Sequence, residues 1–181
     1  MKLNKIVVAL GMSAVLIAGA ANAATTDKAS TDQGHGTITF TGSIIDAACS
    51  ISSNSDAQEV NLGEISSSAL ANQGTSTPKN FEVELDNCAL TTQKGVTVTF
   101  TGAASATNAD HLGITGTASG ASIAITDGSG TPIALGTPSS AQTLQDGTNH
   151  LLFSAYMQGD SASAPTPGDF TSVADFTLAY Q

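Results

Sequence analysis

Arginine and tryptophan are absent from the chain, aromatic residues fill only 4% of its 181 positions, and charged residues fill 11%. A nucleotide or carbohydrate pocket built on stacked rings and paired charges lacks its usual components here. Basic residues are scarce: 5 lysines stand against 15 acids, a formal charge of −10. That balance repels phosphate backbones and anionic lipid, which argues against nucleic-acid binding and membrane-surface docking. Cysteine is limited to Cys49 and Cys88, with no CxxC pair and no histidine at metal-ligand spacing, so neither a metal nor a cofactor is expected. Long amphipathic helical stretches are missing too. What remains is 40% hydrophobic residues, 45 serines and threonines and 18 glycines. This is too apolar for a disordered acidic tail, and it suits short strands joined by small-residue turns.

Lys2 and Lys5 precede an apolar run from Ile6 to Ala20, and Ala21-Asn22-Ala23 supplies small residues around a cleavage point. Residues 1–23 are read as a secretory signal peptide, cut after Ala23. A transmembrane anchor is the competing reading, but the run is short and no basic stop-transfer cluster follows it. The processed chain keeps 158 residues, with 3 lysines against 15 acids, and is long enough for one domain with one core. In an oxidising compartment the cysteine pair is read first as a disulfide, with two unrelated buried thiols as the alternative.

Residues 24–36 are small and polar and read as a flexible arm. Clean alternation follows over 37–45: Ile38, Phe40, Gly42 and Ile44 share one strand face, and Thr37, Thr39, Thr41 and Ser43 the other. A glycine on the apolar face marks either a close approach or a bulge. Further strands are expected at 48–51, 59–62, 81–85, 96–101, 121–125, 133–135, 150–156 and 170–180. Asp127-Gly128 is a turn between two of them, and 66–72 holds one helical turn. Segments 102–120 and 158–169 read as loops. Many short strands with turn signals predict an all-β Greek-key sandwich. Its last strand reaches the C-terminus with apolar residues on one face, which leaves an exposed edge unless another strand covers it. Either the alternating N-terminal strand folds back on its own domain, or it inserts into a neighbour.

No catalytic constellation stands out in the sequence. Ser129, between Gly128 and Gly130, lacks a G-x-S-x-G elbow, and His35 and His111 lie in glycine-rich surroundings. His150 opens an apolar strand and reads as structural. The scattered acids read as a solvated surface.

The stretch from Gly34 to Ile51, with Ile38, Phe40, Gly42 and Ile44 ahead of Cys49, resembles the start of chaperone–usher pilins, the subunits of fimbriae. The ending from Gly168 to Gln181, with penultimate Tyr180, resembles their C-terminus. The likeness spans the processed chain, with major subunits of P-type and mannose-resistant fimbriae as the nearest look-alikes. Many relatives carry proline where Ala48 stands. The resemblance implies an incomplete immunoglobulin-like sandwich lacking its last strand: residues 24–45 an extension with a donor strand, residues 46–181 the pilin domain. It implies a structural role and no enzyme: a fimbrial shaft subunit supporting adhesion, or alternatively a minor, tip-associated adapter or adhesin. It implies Ile38, Phe40, Gly42 and Ile44 as donor residues, and Cys49–Cys88 as the family's disulfide. Gly168, Phe170, Ala174, Phe176, Leu178, Tyr180 and Gln181 belong to the C-terminal edge that binds chaperone or neighbour. The implied partners are copies of itself, other fimbrial subunits, a periplasmic chaperone and an outer-membrane usher, along a route through the periplasm to the cell surface.

Overall fold

The structure, a computed structural model, describes residues 34–161 and 163–181. The leader, the cleavage point after Ala23 and the arm before Gly34 lie outside the described residues. The chain divides into two units, residues 1–43 and 44–181. In the described part of the first, residues 34–43 form no strand, and Ile38 and Phe40 are 77% and 89% exposed.

The second unit is built from short antiparallel strands. In chain order they are β1 (Ser50–Ile51), β2 (Lys79–Cys88), β3 (Gly95–Gly102), β4 (Leu112–Gly113), β5 (Thr115–Gly116) and β6 (Ala121–Asp127). Then come β7 (Pro132–Ile133), β8 (Gln142–Thr143), β9 (Gly147–Gly159), β10 (Phe170–Thr171) and β11 (Ala174–Tyr180). A 3-10 helix, Ser67–Gln73, lies between β1 and β2. One sheet has the order β1-β2-β9-β6-β4, with β7 beside β6; the facing sheet is β11-β3-β8, and β10 pairs with β5.

Period-2 alternation puts the core between the sheets. Val83 and Leu85 of β2 and Leu151, Phe153, Ala155 and Met157 of β9 are buried, while Glu82, His150 and Leu152 point outward. Val96, Val98 and Phe100 of β3 close the core from the other side. Three rings meet at its centre: Phe100 lies edge-on to Phe153 at 5.1 Å, and Phe81 stacks on Phe153 at 5.7 Å. Cys49 and Cys88 form a disulfide, both buried, beside the Ser50–Asp86 pair that starts β1 on β2.

The strands expected at 81–85, 96–101, 121–125 and 150–156 lie in β2, β3, β6 and β9. Asp127-Gly128 makes the β6–β7 hairpin, where Asp127 Oδ1 accepts the backbone N–H groups of Ser129 and Thr131, both at 2.9 Å. The strand expected at 59–62 does not form. Its flank is tied to β2 through side chains instead: Gln58 Nε2 donates to the Glu82 carbonyl, and Ser55 Oγ accepts from the Glu84 N–H. The continuous strand expected at 170–180 is broken at Ser172-Val173, where Ser172 Oγ donates to the Gly113 carbonyl at 2.8 Å. The loop at 102–120 contains β4 and β5.

Candidate functional site: an open sheet edge and its groove

β11 pairs with β3 alone, from Ala174 opposite Gly102 to Tyr180 opposite Val96. At the end of that ladder Gly95 and Gln181 exchange both bonds: Gly95 N donates to Gln181 O at 3.0 Å and Gln181 N to Gly95 O at 2.9 Å. Hydrogen-bonded and non-bonded pairs alternate in an antiparallel ladder. Asp175, Thr177 and Ala179 therefore direct their backbone groups to β3. Ala174, Phe176, Leu178 and Tyr180 direct theirs to the opposite side, where no strand is paired among the described residues. Unpaired backbone groups of this kind form a template for another strand.

The side chains repeat the message. Phe176, Leu178 and Tyr180 turn toward the core but remain half-buried, although the residues across from them on β3, Phe100, Val98 and Val96, are fully covered. Between β11 and the 56–65 segment runs a groove. It comprises two adjoining cavities of about 540 and 640 Å³ that share Gln58, Val60, Leu62, Ile123 and Ser172. Phe81, Phe100 and Ile125 floor one, and Leu70, Met157 and Pro165 line the other. The Tyr180 hydroxyl is buried without a hydrogen-bond partner among the described residues, and burial raises its pKa above the ordinary phenol value.

The C-terminal residues singled out in the sequence fall into three groups. Phe176, Leu178 and Tyr180, with exposed Ala174, form the open edge, and Gln181 ends its ladder, its carbonyl also accepting the Lys94 N–H at 2.8 Å. Phe170 is set apart in β10, opposite Gly116. Gly168 fits where a side chain would collide: a methyl there would fall 2.5 Å from Thr117 Oγ1 and 2.6 Å from Ala118 N. Asp169 holds that approach closed, its carbonyl accepting the N–H groups of Thr117 and Ala118 at 2.9 and 3.1 Å. In the N-terminal set, Ile44 is fully exposed and a side chain at Gly42 would meet nothing within 4 Å. Sequence reasoning missed the groove's lining, Val60, Leu62, Phe81 and Phe100. The alternation of Val60 and Leu62 was visible, but their shared destination was not.

No group of His, Cys, Asp and Glu able to hold a metal occurs among the described residues. His111, Ser122 and Asp160 do come together. Ser122 Oγ donates to Asp160 at 2.9 Å and lies 3.2 Å from His111 Nδ1, so its proton is aimed at the carboxylate and not at the imidazole. Ser122 is also only 1% exposed. This is a structural link between loops and strand, not a nucleophile with its base. No described helix is long and apolar enough to cross a membrane.

Fold and site together define a class: an immunoglobulin-like sandwich whose last strand position is open, with a groove beside the open edge. Residues 38–181 match the model of the fimbrial protein family. The chain is 58% identical to the Fimbria A protein of Serratia marcescens and 49% identical to the major MR/P fimbria protein of Proteus mirabilis, each over 100% of both chains. It is 38% identical to the Pap fimbrial major pilin of Escherichia coli, over 93% of this chain and 94% of that one. Among solved structures it is similar to the P pilus rod subunit PapA, with a TM-score of 0.66 and 33% identity over 75% of this chain and 100% of that one. It is also similar to a chain from a chaperone–usher pilus studied for rod uncoiling, with a TM-score of 0.72 and 34% identity over 82% and 97% of the two chains. The chain belongs to the fimbrial protein family and is a structural subunit of fimbriae, which are surface filaments.

Proposed function

We propose that this subunit builds the fimbrial rod by donor-strand exchange. The observation that carries the reading is the open edge of β11 above an apolar groove, in a chain whose 37–45 segment alternates apolar residues and presents Ile38, Phe40 and Ile44 to solvent. Residues 24–45 serve as the extension and 46–181 as the receiving domain. Ile38, Phe40 and Ile44 of one subunit enter the groove of the subunit before it, and Gly42 passes its shallowest point. The incoming backbone bonds to Ala174, Phe176, Leu178 and Tyr180. Strand addition of this kind draws affinity from main-chain hydrogen bonds and specificity from alternate side chains. Each large donor residue contributes about 1.5–3 kcal/mol on full burial. Because donor and groove are different surfaces, the contact need not close on itself, and it propagates as a filament.

Before assembly the groove is held by a periplasmic chaperone that lends a strand, and an outer-membrane usher exchanges it for the next subunit's extension. Residues 1–23 direct the chain to that route and are removed after Ala23. Full-length identity to two fimbria proteins, one of them a major subunit, supports a rod position over a tip position. The work is mechanical and needs neither cofactor nor enzymatic step.

The test is electrophoresis of sheared surface material without boiling. A ladder that collapses on heating to one band of the processed mass is expected. Deletion of 24–45 should abolish extension while leaving chaperone capture intact; normal-length filaments from that variant would refute the donor assignment.

A further inference from the structure

Aspartate is followed by glycine twice in the chain, at Asp127-Gly128 and Asp146-Gly147, and asparagine is never followed by glycine. In such a pair no side chain on the second residue shields its backbone nitrogen from the preceding carboxyl group. The fold treats the two pairs in opposite ways. The Asp127 carboxylate is occupied on both oxygens: Oδ1 accepts the Ser129 hydroxyl and the Thr131 and Ser129 N–H groups, and Oδ2 accepts the Ser140 hydroxyl. Those donors, the Ser129 hydroxyl foremost, favour the charged form and lower its pKa. Gly128 is packed as well, since a methyl there would sit 3.2 Å from the Leu152 carbonyl oxygen. Asp146 is exposed, and its carboxylate accepts a single hydrogen bond among the described residues, from the Leu90 N–H at 2.8 Å. A methyl on Gly147 would meet nothing within 4 Å. Gly147 opens β9 opposite Cys88, where the β2–β9 ladder is irregular between Leu85 and Cys88.

We propose that Asp146-Gly147 is a site of spontaneous modification, at which aspartate slowly converts to isoaspartate, and that the fold spares Asp127-Gly128. The Gly147 nitrogen attacks the carbon of the protonated Asp146 carboxyl group. A C–N bond forms, and the carboxyl hydroxyl leaves with the amide proton as water. Solvent water then opens the resulting succinimide ring. Cleavage of the new C–N bond restores aspartate, whereas cleavage of the original peptide C–N bond leaves the main chain running through the former side chain. Water is the one co-reactant. A carboxylate held in its charged form resists the attack, so the donors around Asp127 protect it. At Asp146 the product lengthens the link into β9 by a methylene and turns the acceptor of the Leu90 N–H into a main-chain oxygen. Gln145 and Asn149 clasp each other across this turn, at 2.8 and 2.7 Å, so the change stays local. The modified fraction grows with the age of the subunit, and the turn records how long a surface filament has stood.

The test is peptide mapping of fimbriae sheared from cells and aged for weeks at neutral pH and body temperature. After reduction and unfolding, the aged protein is digested with an endoproteinase that cuts before aspartate and not before isoaspartate. Cleavage at Asp146 should be lost progressively, as a second peptide of unchanged mass grows in, while cleavage at Asp127 stays complete. The same chain aged in the reduced, unfolded state should convert at both positions at similar rates, because the protection of Asp127 is then gone. Ser129→Ala combined with Ser140→Ala should start conversion at Asp127 in the folded protein. Asp146→Glu should abolish the second peptide, since the longer side chain must close a six-membered ring. Full retention of cleavage at Asp146 in aged fimbriae would overturn the proposal. So would equal conversion at the two positions in the folded protein, or the same ratio between them folded and unfolded.

Discussion

Phe176 stands directly opposite Phe100 across the β11–β3 ladder, yet Phe100 is 3% exposed and Phe176 only half-buried. The same rung of the sandwich is finished on one side and unfinished on the other. Phe100 is covered by Phe153 and Phe81, whereas Phe176 lies beside the groove. The two substitutions should therefore separate. Phe100→Ala should destabilise the free subunit by about 3–5 kcal/mol, as for a buried ring. Phe176→Ala should cost the free subunit clearly less, and should cost the strand-filled form more than it costs the free one. Urea unfolding with and without a saturating 37–45 peptide checks both.

Gly168 tests the close approach of backbone to backbone. A methyl group at this position collides with the Thr117 hydroxyl and with the backbone of Thr117 and Ala118, and the backbone atoms cannot swing aside. Gly168→Ala should lower stability by about 1–3 kcal/mol through overpacking and should detach β10 from β5. Hydrogen exchange at the Thr117 and Ala118 amides, which donate to Asp169, reads the detachment directly.

Gly42→Asn separates a bound-state effect from a folding effect. Nothing lies near Gly42, so the substitution should leave the melting temperature of the free subunit unchanged. On the donor-strand reading the added side chain enters the groove, and exchange between purified subunits should slow at least about tenfold, equivalent to about 1.4 kcal/mol. An unchanged exchange rate would assign Gly42 a role outside the groove.

Asp127 gives a pH prediction of definite sign. Its carboxylate pKa is lowered from 3.8, chiefly by the Ser129 hydroxyl and then by the Thr131 N–H. A depressed folded-state pKa contributes stability that is fully present above the unfolded value and is lost as pH falls through the folded one. Asp127→Asn should therefore be slightly less stable than the parent at pH 7, and the gap should narrow below pH about 4. The group is exposed, so the effect is small, and paired melting curves from pH 2 to 7 resolve it.

Where alternation alone decides structure, the fold was legible in the sequence: β2, β3, β6 and β9 follow from residues such as Val83, Leu85, Val98 and Phe153. The break at Ser172 was hidden, because its cause is a bond to Gly113, far away in the chain. Val60 and Leu62 carry a strand pattern yet form no strand. A strand needs a partner edge, and here the neighbouring edge of β2 is satisfied by Ser55 and Gln58 side chains. The two halves of the site differed in the same way. Apolar residues at the C-terminal edge announced themselves by period, whereas the groove gathers Val60 and Phe176 from opposite ends of the domain and no local pattern joins them.

The buried sulfur bridge sits at the root of the N-terminal arm, where Cys49 follows Ile44 and Ile45 and is clamped to the end of β2. If the arm links neighbouring subunits as proposed, a pull on the filament enters the folded body at that point. The bridge passes the load to β2, which is laddered along β9, so the strain is shared by a row of backbone bonds loaded in shear. Without it, the two-residue β1 would peel away one bond at a time. On the donor-strand reading, the crosslink thus serves as a mechanical anchor between the arm and the longest ladder of the domain.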